Sequence, residues 1–149
     1  MKKNTKIFAL VMSIVMLFAA FSLTAFAADF EKDQSALIDN YTCLNQIRYT
    51  SSSRHLYVFV RLTKNTDSSA DTVQVAAQGV IGYTDGTFDI DYRSTLEDSK
   101  SEAGEWIATS AYVYGNSTKM VQYIANDSHY IVNGEAYSLG GTWYAGEDF

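Results

Sequence analysis

The nine residues His55–Thr63 decide the fold, and they read HLYVFVRLT. Successive side chains of a β-strand point to opposite faces, so residues at every second position share a face. One face of this stretch is entirely aliphatic: Leu56, Val58, Val60 and Leu62. The other face carries two rings between polar side chains: His55, Tyr57, Phe59 and Arg61. The stretch therefore predicts a strand with an aliphatic inner face and an aromatic opposite face.

Alternation of this kind recurs along the chain, whereas no convincing helical period of 3.6 residues is found. The further strand candidates are residues 41–49, 72–83, 87–94, 106–114, 119–125, the two arms of a hairpin around residues 133–134, and 142–145. Polar turns separate them, and the acidic connection over residues 95–105 is expected to be a solvated loop. Gly140-Gly141 is expected to interrupt the alternation near the C-terminus.

Two dipeptides predict tight hairpins, Asp85-Gly86 and Asn133-Gly134. Both favour the positive φ angles of a two-residue type I′ turn, and a loop of that length determines which residues face each other. The first turn predicts the pairs Tyr83–Phe88 and Ile81–Ile90. The second predicts the pairs Tyr130–Tyr137 and Ile131–Ala136. The apolar side chains of the first hairpin would then share one face of the sheet.

Strands of this number and length, joined by polar turns, predict an all-β fold, namely an antiparallel β-sandwich of about eight strands. In strand number and turn spacing this resembles the general architecture of immunoglobulin-like sandwiches. The buried Cys, Trp, Cys trio of true immunoglobulin domains is missing, because Cys43 is the only cysteine. A small β-barrel is the alternative architecture.

Residues 1–27 have the parts of a secretory signal peptide. Three lysines precede an apolar run over residues 7–23, and Ala25-Phe26-Ala27 presents small residues where a signal peptidase cleaves. Cleavage after Ala27 predicts a secreted, extracellular protein, and an uncleaved N-terminal anchor is the alternative. The rest divides into a polar N-terminal arm, residues 28–39, and a single β-sandwich domain, residues 40–149. The lysine-rich leader and the lack of disulfides resemble Gram-positive secreted proteins, which favours a bacterial source.

Without the leader the chain is strongly acidic, because it keeps all 17 acidic residues but 8 of the 11 basic ones, for a formal charge of −9. This charge repels nucleic acid and anionic membranes, so neither is an expected partner. No second apolar run of membrane length follows the leader, and no stable membrane anchor is expected. Cys43 is either a buried apolar residue or the link of a disulfide-bonded homodimer.

Few residues show a catalytic or metal-binding pattern. His55 and His129 are the only histidines, they lack a zinc-ligand spacing, and no nucleophile-elbow motif is present. Asp89 and Asp91 leave one face of a predicted strand, about 6.8 Å apart along it. We interpret them as a solvated acidic face, with a calcium contact as the weaker alternative. No cofactor and no enzymatic activity are predicted.

Large rings opposite the aliphatic faces are the main signal of function. They are Tyr57 and Phe59 in one strand and Trp106, Tyr112 and Tyr114 in another. If these strands are neighbours in one sheet, the rings form a patch that can stack on sugar rings or anchor a protein. In the competing interpretation, the N-terminal arm, a long loop or the second sheet covers them.

These observations predict a small secreted binding module whose partner is an extracellular protein or glycan. Two other classes of function stay open. One is an extracellular hydrolase that uses Asp89, Asp91, His55 or His129, and the other is a secreted toxin or pore-forming effector. Turnover of a glycan, peptide or ester substrate would identify the first class, and leakage of liposomes would identify the second.

Overall fold

Nine β-strands form in residues 29–149, the part of the chain that the computed structural model describes. In chain order they are β1 (Phe30–Ile38), β2 (Tyr41–Thr50), β3 (His55–Lys64), β4 (Asp71–Tyr83), β5 (Phe88–Ser94), β6 (Asp98–Lys100), β7 (Trp106–Tyr114), β8 (Val121–Val132) and β9 (Glu135–Tyr144). Every ladder between these strands is antiparallel. The predicted leader, residues 1–27, lies outside the described residues, and its cleavage stays a prediction.

The strands form two sheets that pack face to face. One sheet has the order β1-β2-β3-β7, and the other has the order β5-β4-β8-β9, with the short strand β6 also paired to β4. β3 and β7 lie over β4, and β2 lies over β8. The predicted antiparallel β-sandwich is therefore confirmed. The two sheets of the described chain stay separate and do not close into the alternative small barrel.

The alternation of β3 determines how the two sheets meet. Its four aliphatic side chains, Leu56, Val58, Val60 and Leu62, are at most 1% exposed. They face a matching buried row on β4: Val73, Val75, Ala77 and Ile81. Burying one larger aliphatic side chain contributes roughly 1.5–3 kcal/mol, so these two rows supply much of the stability of the sandwich.

One charged side chain, Lys64, is buried at the end of β3. Its Nζ atom lies 2.5 Å from a carboxylate oxygen of Asp71 and also donates to the carbonyl oxygens of Ser69 and Lys100. Asp71 accepts another hydrogen bond from the hydroxyl of Tyr41, at 3.0 Å. Hydrogen bonds, above all the one from Lys64, lower the pKa of Asp71 to about 2. Because the ammonium group has an acceptor for each proton, its charge is tolerated in the interior and ties β3 to β4.

A chain of polar side chains crosses the interior from β8 to β1. The amide of Asn126 donates to the hydroxyl of Ser128 at 3.1 Å, and that hydroxyl donates to Asn45 at 3.1 Å. Asn45 in turn donates to Gln34 at 2.8 Å. Within residues 29–149 the side-chain oxygen of Asn126 is buried and has no hydrogen-bond partner. Hydrogen bonds as well as apolar contacts therefore join the two sheets near β1.

The predicted N-terminal arm is in fact strand β1. Nine residue pairs join it to β2, from Phe30–Tyr49 to Ile38–Tyr41. The prediction failed because the charged run over residues 31–33 hides the alternation of this strand. Charges of this kind suit a strand at the edge of a sheet, because they discourage pairing with other chains.

The C-terminal third contains longer strands than the sequence predicts. β8 continues without a break, and β9 passes through Gly140-Gly141, which was expected to interrupt it. The hairpin at Asn133-Gly134 is confirmed, with Tyr130 opposite Tyr137. The expected loop over residues 95–105 contains the short strand β6, which pairs with the start of β4.

The hairpin at Asp85-Gly86 forms, but its predicted register is wrong by one residue. The observed pairs are Gly82–Phe88 and Val80–Ile90. The predicted pairs Tyr83–Phe88 and Ile81–Ile90 do not form. A slip of one residue moves every side chain of a strand to the other face of its sheet. The apolar residues of β5 therefore point outward, and its two aspartates point inward.

The cause of this error is a three-residue loop where a two-residue turn was predicted. The N–H of Tyr83 donates to the carbonyl oxygen of Thr87 at 2.9 Å, and the N–H of Gly86 donates to the carbonyl oxygen of Tyr83 at 3.0 Å. Gly86 has a φ of 80°, as the left-handed position of such a loop requires. The carboxylate of Asp85 accepts hydrogen bonds from the N–H and hydroxyl of Thr87, at 3.0 and 2.6 Å, which stabilises the longer loop.

Candidate functional site

The rings of β3 and β7 meet on the outward side of the four-stranded sheet, here called the first outer face. β3 and β7 are neighbours, and Tyr57 lies directly opposite Tyr112. The centroids of these two rings are 4.8 Å apart. Phe59 follows on β3, with its centroid 6.4 Å from that of Tyr57 and its plane tilted by 22°. Three predicted site residues therefore form one continuous aromatic surface.

The other two predicted rings lie at opposite ends of this face. Tyr114 packs edge-on against His55, with the ring centroids 4.6 Å apart, and continues the surface beyond Tyr112. Trp106 lies opposite Thr63 at the far end of β7, about 20 Å from Tyr112 along the strand. Trp106 is therefore not part of the aromatic cluster that the structure brings together.

No element among residues 29–149 covers these rings. The predicted arm is β1, which lies in the same sheet with β2 between it and β3, and the second sheet packs against the opposite side. Tyr112 is 52% exposed and Tyr114 is 68% exposed, whereas Tyr57 and Phe59 are half-buried between their neighbours. In the described residues, therefore, neither an arm nor a loop nor the second sheet covers the rings, contrary to the competing interpretation.

The half of the first outer face formed by β1 and β2 is charged. Arg48 lies opposite Tyr57 on one side and opposite Glu31 on the other. Its guanidinium group lies 2.7 Å from the carboxylate of Glu31 and 2.7 Å from that of Asp33. The hydrogen bond from Arg48 lowers the pKa of Asp33. A row of ionised and hydrogen-bonding groups therefore borders the aromatic surface.

Asp89 and Asp91 do not form the solvated acidic face predicted for them. The register of β5 turns both side chains toward the interior, where they reach β7 and the segment after it. Asp91 accepts a hydrogen bond from the backbone N–H of Tyr112 at 3.0 Å. Asp89 accepts hydrogen bonds from the hydroxyl of Tyr83 and, at 3.2 Å, from the backbone N–H of Asn116. These carboxylates connect the two sheets along one side of the sandwich.

The environment of these two aspartates differs from a calcium site. The backbone N–H of Tyr112 is the main cause of the lowered pKa of Asp91, and the side chain of Arg93 adds to it. Arg93 lies 3.2 Å from the Asp91 carboxylate. Calcium takes six to eight oxygen ligands, whereas one oxygen of each of these carboxylates already accepts hydrogen bonds and Arg93 lies beside Asp91. No group of three or more metal-ligating side chains occurs in residues 29–149.

The outward side of the five-stranded sheet, here called the second outer face, carries the apolar residues of β5, whereas the predicted register gave this side to Asp89 and Asp91. Phe88 is 59%, Ile90 is 51% and Tyr92 is 54% exposed, all on β5. Tyr144 of β9 is 46% exposed on the same face. The signal that could have revealed this surface is the carboxylate of Asp85, because it favours the three-residue loop that turns β5 over.

A glycine shapes the middle of the second outer face. Gly82 lies between Phe88 and Tyr123 in the sheet. A Cβ atom at Gly82 would lie only 2.1 Å from the ring of Tyr123, so the ring lies flat across the glycine backbone. Tyr144 follows on β9, with its centroid 6.1 Å from that of Tyr123. An aromatic strip therefore crosses this face from β5 to β9.

The residues of the alternative hydrolase function lie apart. His55 packs on Tyr114 on the first outer face, whereas Nε2 of His129 lies 3.2 Å from the carboxylate of Asp127 on the second. Ser138 lies opposite His129 on β9, but no hydrogen bond joins these two side chains in the described structure. A histidine that activates a serine needs that hydrogen bond.

Cys43 lies inside the sandwich. Its side chain is 0% exposed, and burial raises the pKa of its thiol to about 12. A disulfide to a second chain would require the sheets to separate, because two bridged Cα atoms lie within about 7 Å of each other. The structure therefore favours the buried apolar role for this cysteine.

No protein-family model matches this chain, and no curated protein matches it in sequence. Residues 29–149 contain no helix that is long and apolar enough to cross a membrane.

Proposed function

We propose that this protein is an extracellular binding domain without catalytic activity, and that its first outer face contacts a glycan or a protein. The observation that carries the proposal is the cross-strand pair of the half-buried Tyr57 and the exposed Tyr112, extended by Phe59. Exposed aromatic groups of this kind are enriched where proteins bind partners.

The rings are held on a rigid support, which favours binding. All three belong to β3 and β7, which are hydrogen-bonded neighbours in one sheet, so little conformational freedom is lost when a partner packs on them. Arg48, Gln46 and Ser110 lie beside the rings and supply hydrogen-bonding groups. A flat apolar surface bordered by such groups suits a sugar ring, which has apolar faces and hydroxyl groups at its edge.

The proposed location rests on the leader, and the acidic charge limits the partner. A formal charge of −9 on the chain after residue 27 disfavours polyanionic partners. Neutral or basic glycans and basic protein surfaces are therefore the favoured classes. No observation favours the toxin or hydrolase alternatives over binding.

The test is the double substitution Tyr57→Ala and Tyr112→Ala, assayed on a printed glycan array and by capture from culture extracts. Loss of one aromatic anchor commonly weakens binding by about 2 kcal/mol, so we expect at least about thirtyfold weaker binding. The matched control is Phe88→Ala with Tyr92→Ala, which removes two exposed rings from the second outer face. Binding that survives the first pair of substitutions would contradict the proposed surface.

A further inference from the structure

The two sheets of residues 29–149 have four edges, and three of them carry obstacles to a further strand. β1 carries the charged run of residues 31–33. On β7, the N–H of Tyr112 donates to the carboxylate of Asp91 and so is not free to bond to a further strand. β5 is short, carries Asp89, Asp91 and Arg93, and shares its edge of the sheet with β6. Charges, short strands and covered backbone groups are the usual devices that keep a sheet edge from pairing.

β9 is the exception among these edges. Over residues 136–144 it contains no charged residue and no proline. It is ten residues long and pairs only with β8 in the described structure. A long edge strand without charges is a template for another strand.

The hairpin at Asn133-Gly134 determines which backbone groups of β9 are free. A two-residue loop is closed by a hydrogen-bonded pair of residues, here Val132 and Glu135. From this pair outward, hydrogen-bonded pairs alternate with non-hydrogen-bonded pairs along the two strands. Odd-numbered residues of β9 therefore bond to β8. The N–H and C=O groups of even-numbered residues point away from the sheet: Ala136, Ser138, Gly140, Thr142 and Tyr144.

The turn after β9 occupies the last of these residues. The N–H of Tyr144 donates to the carboxylate of Asp148 at 2.7 Å, and the carbonyl oxygen of Tyr144 accepts the N–H of Asp148 at 2.9 Å. Four residues with outward backbone groups remain: Ala136, Ser138, Gly140 and Thr142. This set is symmetric about Leu139.

We propose that β9 binds β9 of a second copy of this chain, antiparallel and with the two-fold axis at Leu139. In this register Ala136 pairs with Thr142 of the second copy, and Ser138 pairs with Gly140 of the second copy. Each pair exchanges two hydrogen bonds, so every outward N–H and C=O group of the four residues finds a partner. The two five-stranded sheets join into one continuous sheet, which is an isologous dimer.

The side chains are compatible with this register. On the inner side Leu139 meets its own copy, and Tyr137 lies opposite Gly141, which has no side chain to obstruct the ring. Glu135 lies opposite Trp143, so no like charges face each other across the new ladder. The dimer leaves the first outer face of each copy free, so it does not depend on the proposed binding function.

Sedimentation velocity of the purified protein over a wide range of concentration tests this dimer. Moderate salt is needed because the chain is acidic and self-repelling. We expect reversible dimerisation of the unchanged protein. Ser138→Pro should raise the dissociation constant of the dimer at least about tenfold, since proline removes one outward N–H from each copy. Ser138→Ala is the matched control, because it keeps the N–H, and it should dimerise as the unchanged protein does. Circular dichroism confirms that each variant is folded.

A cross-linking experiment tests the register and stays informative if Ser138→Pro fails to fold. In the proposed register Leu139 and its copy form a non-hydrogen-bonded pair. The Cα atoms of such a pair are about 4.5 Å apart, which is within the range of a disulfide. Leu139→Cys should therefore form a covalent dimer on oxidation. Leu37→Cys on β1 is the matched control, because Leu37 is 78% exposed and would cross-link more readily by random collision. A monomer at all concentrations, or equal cross-linking of the two variants, would overturn the proposal.

Discussion

The two long sides of the sandwich are closed by different forces. On the side of β5 and β7, the carboxylates of Asp89 and Asp91 accept hydrogen bonds from backbone groups of the other sheet. On the side of β1 and β9, rings pack instead: the centroid of Phe30 lies 5.1 Å from that of Trp143 and 5.8 Å from that of Phe149. The first side, here called the polar side, is closed by hydrogen bonds to backbone groups. The second, here called the apolar side, is closed mainly by rings, with hydrogen bonds between side chains such as that from the hydroxyl of Tyr137 to Asp39 at 3.2 Å.

This difference determines which backbone groups are left free at the sheet edges. A carboxylate that accepts a backbone N–H both joins the sheets and occupies the edge of β7. Packed rings join the sheets through side chains alone, so they leave the backbone edge of β9 open. The apolar side is therefore where a further strand can add, and the polar side is where acid can loosen the structure.

Removal of the ring of Trp143 should have the largest effect on stability. Trp143→Ala deletes a partly buried ring from the apolar side and leaves a cavity next to Phe30. We expect the free energy of unfolding, measured by urea denaturation, to fall by about 3 kcal/mol. Trp106→Ala is the matched control, because Trp106 is 59% exposed, and it should change stability by less than about 0.5 kcal/mol. Equal losses in the two variants would contradict the assigned role of the apolar side.

Removal of one hydroxyl group from the polar side should have an intermediate effect. The hydroxyl of Tyr83 donates to Asp89 and accepts the backbone N–H of Asn116 at 2.6 Å. Tyr83→Phe leaves both partners with one hydrogen bond fewer, so we expect a loss of about 1–2 kcal/mol in the same urea titration. Tyr92→Phe, at a tyrosine that is 54% exposed, should have little effect. An unchanged free energy of unfolding in Tyr83→Phe would mean that this hydroxyl does not help to join the two sheets on the polar side.

The two hairpins show how far turn chemistry can be predicted from sequence. Asn133-Gly134 forms the predicted two-residue turn, and the register of β9 follows from it. Asp85-Gly86 has the same preference for positive φ, but the carboxylate of Asp85 bonds to Thr87 and stabilises a loop one residue longer. Local propensity alone does not separate these outcomes, because both loops are compatible with the backbone preferences of the dipeptide.

The candidate site was predictable in part. The alternation of β3 and β7 identifies Tyr57 and Tyr112 as residues on the faces opposite the aliphatic rows, and the structure confirms that placement. That these two strands are neighbours depends on the topology of the whole sheet, because more than 40 residues separate them in the chain. The second outer face was missed, because the error of one residue in the hairpin placed Phe88 and Ile90 on the same face as Tyr83 and Ile81, which are buried.

Acid should loosen the polar side before the apolar side, which is the smallest effect that we predict. The pKa of Asp91 is lowered in the folded protein, mainly by the N–H of Tyr112, relative to about 3.9 in an unfolded chain. Its contribution to stability is therefore complete above the unfolded pKa and is lost as the pH falls through the lower folded pKa.

Amide hydrogen exchange checks this prediction. The protection factor, which is the intrinsic exchange rate divided by the observed rate, is the quantity to compare, because it removes the intrinsic pH dependence of exchange. Below about pH 4 the protection of the Tyr112 amide should decline, since protonation of Asp91 weakens the acceptor of that N–H. The amide of Trp143, which bonds to β8 on the apolar side, should keep its protection over the same interval. Parallel decline at both positions would show that acid unfolds the whole sandwich and that the polar side has no separate response. Decline at Tyr112 alone would show that the carboxylate of Asp91 joins β5 to β7 independently of the rings that close the other side.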